Sequence, residues 1–188
     1  MAEYYLMSQL PSLDGMSETM PLPITEERFL ELCRRFLGKS AQNELSKLSL
    51  MPSRTPEKSS SPLIEAWNEG ERNLRLVLGK VRADKMKKTF DSENPENKSI
   101  PAPLLQAART AVEADNPMEA EKFLSRYRLD FLETLRPMDY FSEDSVFYYW
   151  LKLKLISRIR QFDADSGALA YRNIYDSIMN GDRLEAVQ

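Results

Sequence analysis

Apolar residues recur along this chain at spacings of three and four, and polar or helix-breaking residues separate one such stretch from the next. That spacing is the signature of helices that bury one face. The clearest case is Phe29, Leu32, Cys33, Phe36 and Leu37, which share a face. Thr25 stands before them as an N-cap, with Glu26 and Glu27 at the positive end of the helix dipole. Arg34, Arg35 and Lys39 suit the negative end, and Gly38 is placed to end the helix as its C′ residue. A second, shorter helix is predicted over residues 41–48.

The longest periodic stretch runs from about Leu63 to Lys85, with Leu63, Trp67, Leu74, Val77, Leu78 and Val81 on one stripe. Gly70 and Gly79 interrupt it, which predicts the close approach of another backbone. Lys85 and Lys88 carry charge onto the same stripe, so packing is expected to end near residue 84. Leu104, Leu105, Ala108, Ala111 and Val112 form a short apolar face. Asn116-Pro117-Met118-Glu119 then reads as a helix start, with an Asn cap, proline first and an acid third. Ala120, Phe123, Leu124, Tyr127, Phe131 and Leu135 are its expected buried face, and Pro137 its stop.

Ser142 caps the next helix, with Phe141 placed to pack onto Val146. This helix is apolar all round from Val146 to Leu151, which predicts a central position, before Lys152, Lys154, Arg158 and Arg160 restore a polar side. Tyr171, Ile174, Tyr175 and Ile178 make a last face that ends at Gly181. The opening residues Tyr4 to Pro11 are too short for periodicity to decide between strand and helix. The fold class expected is all-α: a multi-helix bundle with little or no strand. It reads as one domain over 1–188, with two sub-bundles, 1–90 and 101–181, joined by the loop 91–100. Glu27-Arg28-Phe29-Leu30-x-x-Cys33-Arg34 echoes Glu121-Lys122-Phe123-Leu124-x-x-Tyr127-Arg128. A duplicated helical unit would produce that echo, and so would two ordinary amphipathic helices.

Composition narrows the chemistry. The 188 residues contain no histidine and one cysteine, which removes the commonest general base, the usual transition-metal ligands and any internal disulfide. The single cysteine, and the absence of a basic stretch ahead of the first apolar residues, lead to an expected cytoplasmic setting. Cys33, on a buried stripe, reads as a small core hydrophobe. Val146–Leu151 is far short of the roughly 20 apolar residues that cross a bilayer. No glycine-rich phosphate loop is present. Asp163, Asp165 and Gly167 resemble a calcium loop, but Ile174 stands where a bidentate Glu is needed. No catalytic residue, cofactor, metal or small-molecule substrate is therefore expected.

The strongest remaining signal is basic. Arg72, Arg75, Lys80, Arg82, Lys85, Lys87 and Lys88 face a single acid, Asp84. Arg72, Arg75, Lys80, Arg82 and Lys85 are the candidate partner-binding residues. Arg75, Arg82 and Lys85 are expected to be exposed, so that reversing their charge would leave the fold intact. A net charge of −3 speaks for an acidic protein surface over nucleic acid as the partner.

Tyr4-Tyr5-Leu6-x-x-x-Leu10-Pro11-x-Leu13 resembles the start of an uncharacterised bacterial family associated with V-type (A-type) ATP synthases. Asn73–Ala83 resembles a recurrent helix of that family and of the central-stalk subunit called C or d; Asn116–Leu124 and Tyr148–Phe162 fit the same pattern. The resemblance implies a helical socket between the central shaft of the soluble motor and the membrane rotor ring. Its place would be cytoplasmic, held peripherally at the inner membrane through a complex. The chain is shorter than the family's three-unit funnel, so a reduced version or a separate accessory is implied. Two other readings compete: a general helical protein-interaction scaffold, and a nucleic-acid-associated protein using residues 72–88.

Overall fold

The computed structural model describes residues 2–16, 20–55, 58–90, 100–161, 167, 169 and 171–176. Seven helices are delimited among them: α1 (Ala2–Gln9), α2 (Glu26–Phe36), α3 (Lys39–Lys47), α4 (Pro62–Lys85), α5 (Ala102–Glu113), α6 (Pro117–Thr134) and α7 (Glu143–Gln161). Residues 171–176 are helical too, and no strand occurs among the described residues. The all-α expectation holds, and α1 resolves the opening stretch as helix.

The caps follow the sequence. Thr25 Oγ1 accepts from the Arg28 amide at 3.2 Å, and Asn116 Oδ1 accepts from the Met118 amide at 2.9 Å. Ser61 caps α4 and reaches Asp144 on α7 at 2.5 Å, which fixes the start of one long helix against the start of the other. Ser142 Oγ accepts from the Ser145 amide at 3.2 Å. Gly38 departs from its expected role: its φ is −66°, and it serves as the N-cap residue of α3 instead of a left-handed C′ residue.

Two apolar clusters form the interior. The first gathers α1, α2, α3, the start of α4 and Val146–Ile156 of α7. The second gathers Leu74, Val77 and Leu78 of α4 with Leu104, Ala108 and Ala111 of α5 and Leu124 of α6. α4 therefore runs through both, about 36 Å long at 1.5 Å per residue. Trp67, in the first cluster, is fully buried; its indole Nε1 donates to the Ser49 carbonyl at 3.2 Å, so its one polar atom is satisfied. α7 packs against α1, α2, α4 and α6 and is buried without a break from Ser145 to Leu153, the central position its apolar run predicts.

Several expectations are corrected. Phe123, Tyr127 and Phe131 are half-buried, while Leu124, Ser125 and Leu132 are the buried residues of α6. Lys152 is buried where a polar face was expected. Gly70 meets the Phe131 ring, not a second backbone. Phe141 keeps 41% of its surface exposed, with its ring against Tyr4. Tyr171, Ile174 and Tyr175 are exposed, not a buried face. Ile178, Gly181, Asp163 and Asp165 lie outside the described residues, as does the loop 91–99.

Candidate functional site

The basic residues of α4 do not share one surface. Arg75 and Arg82 line a cleft against α6 and α7, whereas Lys80 and Lys85 line a groove against α5. Arg72 is half-buried and lines neither. Lys80, Arg82, Lys85, Lys87 and Lys88 are exposed. Lys85 Nζ also donates to the Val112 carbonyl at 2.6 Å, at the end of α5, where carbonyls lack helical partners.

Arg75 is half-buried like Arg72, and it corrects the expectation of a freely exposed cation. Its Nε donates to Glu71 Oε1 at 3.2 Å and its Nη1 to the Pro52 carbonyl at 3.0 Å. Glu71, one turn earlier, is almost wholly buried, with 1% of its side chain exposed. Arg128 of α6 grips the same carboxylate with two bonds, Nε to Oε2 at 2.8 Å and Nη2 to Oε1 at 2.9 Å. A buried carboxylate is tolerable only when paired and hydrogen-bonded in this way. Glu71 thus locks α4 to α6, with Arg75 as its second cation.

The cleft around this lock has a volume of about 210 Å³. Arg75, Arg82, Arg128 and Arg158 contribute four guanidinium groups, and Glu71 and Glu121 two carboxylates. Arg158 Nη2 donates to Glu121 at 3.3 Å. Arg75 Nη2 and Arg128 Nη1 are closed from solvent with no acceptor among the described residues. A buried donor left unpaired costs about 1–3 kcal/mol, so such donors are uncommon. The sequence reading named Arg75 and Arg82 but missed Glu71, Glu121, Arg128 and Arg158. For Glu71 a signal existed: Trp67, Glu71, Leu74 and Leu78 follow one helical stripe, which places an acid among core positions.

A second ionic cluster joins Lys152, Asp14, Glu133, Arg136 and Tyr148. Lys152 Nζ donates to Asp14 Oδ1 at 2.6 Å and to Glu133 Oε1 at 2.5 Å, and Arg136 Nη2 donates to Asp14 at 2.7 Å. Hydrogen bonds from Lys152 and then Arg136 hold the Asp14 carboxyl below its usual range. Burial works against the Lys152 ammonium, but the bonds to Asp14 and Glu133 outweigh it and raise its pKa. Every partner here serves another, and the cluster fastens the segment after α1 to the middle of α7.

Cys33 is buried, and burial pushes its thiol up to about 12, far from a reactive thiolate at neutral pH. Among the described residues no group of three acids or cysteines is arranged to hold a metal, and no helix is long and apolar enough to cross a membrane.

Fold and surface together define an all-α protein with two ionic clusters, one between α4, α6 and α7 and one joining Asp14 to α6 and α7. A family model described as "protein of unknown function (DUF2764)" matches residues 28–182, and the chain belongs to that family. The resembling segments 73–83, 116–124 and 148–162 lie inside the matched region, and the aromatic start, 4–13, lies outside it. Comparison with curated proteins and with solved structures returned no match.

Proposed function

We propose that this protein is a non-catalytic subunit or accessory of a V-type (A-type) ATP synthase that offers the basic end of α4 to an acidic protein partner. The observation that carries the docking part is the run of exposed cations Lys80, Arg82, Lys85, Lys87 and Lys88 at the end of a helix anchored in both apolar clusters. A stiff helix presents such charges at little entropic cost, and surface charge of this kind steers and orients association. The ATP synthase part is supported by the resemblance of Tyr4–Leu13 and Asn73–Ala83 to proteins associated with that enzyme. The role so implied is coupling or bracing between shaft and membrane rotor, on the cytoplasmic side and without membrane insertion. Within the resembling segments Leu6, Leu10, Leu13, Leu74, Val77 and Leu78 are buried, so the likeness rides on packing positions and the exposed cations are the part free to bind.

Affinity purification from the native cell tests the reading. ATP synthase subunits are expected to co-elute, less so as salt rises. A Lys80→Glu, Lys88→Glu variant is expected to melt like the wild type and to lose them. Normal melting with wild-type co-elution would refute a docking role for these cations. Elution of ribosomes or nucleic acid alone would replace the reading altogether.

A further inference from the structure

We infer that the cleft between α4, α6 and α7 receives a carboxylate side chain from an acidic segment of a protein partner. The inference rests on the reading of an acidic partner and supplies the place where that partner's charge is held. Four guanidinium groups line the cleft against two carboxylates. Both carboxylates are already engaged, Glu71 by Arg75 and Arg128 and Glu121 by Arg158. Among the described residues the surplus lining the cleft is therefore cationic. Arg82 is exposed at the rim, and the half-buried Arg75 and Arg128 line the wall behind it.

The shape and composition of the walls favour a carboxylate on an aliphatic stem. Leu78, Leu124 and Leu155, one from each helix, supply an apolar side for methylene groups. About 210 Å³ admits a side chain but not a nucleotide or a folded element. Guanidinium forks match a carboxylate in two-point contact, as Arg128 already does with Glu71. A phosphate group is the weaker fit. Phosphate sites use amides at helix N-termini or glycine-rich loops, whereas these arginines stand in the second halves of their helices, where the dipole is negative. That field tolerates a single charge better than a double one.

The test uses the full chain and a fluorescein-labelled peptide alternating Glu and Leu, followed by anisotropy at fixed ionic strength. A matching Gln/Leu peptide and inorganic phosphate serve as controls. Saturable binding of the Glu peptide alone is expected, with affinity falling roughly tenfold in Arg158→Gln and in Arg82→Gln as a charge-assisted contact is lost. Thermal melts accompany both variants. Arg75 and Arg128 are left intact because they hold Glu71. Equal binding of the Gln peptide, displacement by equimolar phosphate, or wild-type affinity in both folded variants would each overturn the inference. The two readings fail separately. Loss of ATP synthase subunits in Lys80→Glu, Lys88→Glu but not in Arg158→Gln leaves the partner and removes the cleft. Peptide binding through Arg158 with no ATP synthase in native eluates leaves the cleft and removes that partner.

Discussion

Lys152 on α7 holds Asp14, 138 positions earlier in the chain, through a 2.6 Å bond from Nζ to Oδ1. The ammonium is buried, yet its carboxylate partner is more than half exposed. The pair therefore sits at the margin of the first apolar cluster, with the lysine stem inside and the charges meeting at its edge. Glu133 closes the arrangement from the end of α6.

This network makes stability fall with acid. Asp14 is lowered from 3.8, chiefly by its bond from Lys152. Burial pushes Glu133 up, but bonds with Lys152 and Tyr148 outweigh it and leave it below 4.5. Carboxylates lowered in the folded state contribute stability that is complete above their unfolded values and is lost as pH falls through the folded ones. Lys152 is shifted the other way, so its contribution is lost only as pH rises past 10.5 and through its raised folded value. Urea melts from neutral to acid pH should show a loss of stability below about pH 4.5 that is shallower in Lys152→Met. An unchanged slope would assign the acid loss to other groups.

Glu71 should be costly to remove. Glu71→Ala strips the shared anion from Arg75 and Arg128 and should destabilise by ~3–5 kcal/mol. Arg75→Glu sets a second acid beside Glu71 and should also destabilise strongly, whereas Arg82→Glu, on an exposed side chain, should change stability by about 0.5 kcal/mol or less. Denaturant melts of the three variants check this order. Equal melts for Arg75→Glu and Arg82→Glu would mean that the Glu71 lock contributes nothing.

The same two residues show where the sequence stops being legible. Helix periods and caps are local, so α2, α4, α6 and α7 could be placed from spacing, from Thr25 and Asn116, and from the apolar run after Ser145. Buried charge is not local. Tyr148, Lys152, Leu155 and Ile159 follow one stripe, as Trp67, Glu71, Leu74 and Leu78 do, so an ion amid core positions was visible in each. Its partner was not: Asp14 and Arg128 come from remote segments that spacing along a helix does not relate. Gly70 predicts a neighbouring backbone and meets the Phe131 ring instead, another partner from a remote segment that spacing along α4 does not relate.

Trp150 should carry a large share of the first cluster. It is buried, and its ring stacks on Phe29 with centroids 5.1 Å apart. Phe29 in turn stacks on Tyr149 at 5.5 Å, so one α2 ring is held by two neighbours on α7. Trp150→Ala should destabilise by ~3–5 kcal/mol, as large aromatic deletions in packed cores do. Equilibrium unfolding measures it, and a loss below about 1 kcal/mol would show that the site collapses without penalty.

The two glycines of α4 should respond oppositely to alanine. In an exposed helix interior Gly→Ala gains about 1 kcal/mol, because glycine has more backbone freedom to lose on folding. At Gly70 an added Cβ would collide with Cε1 and Cζ of the Phe131 ring. That ring is half-buried and stacked on Trp67 at 6.2 Å, so it cannot leave without disturbing the first cluster. Overpacking of this kind costs ~1–3 kcal/mol, which outweighs the helix gain, and Gly70→Ala should be destabilising. At Gly79 the added Cβ would lie 2.7 Å from Phe90 Cε2, but Phe90 is an exposed ring beyond the end of α4. It can turn aside at little cost, so Gly79→Ala should be neutral or stabilising by up to about 1 kcal/mol. Paired thermal melts decide the matter: if both variants gain stability, the seat of the Phe131 ring on Gly70 is not sterically required.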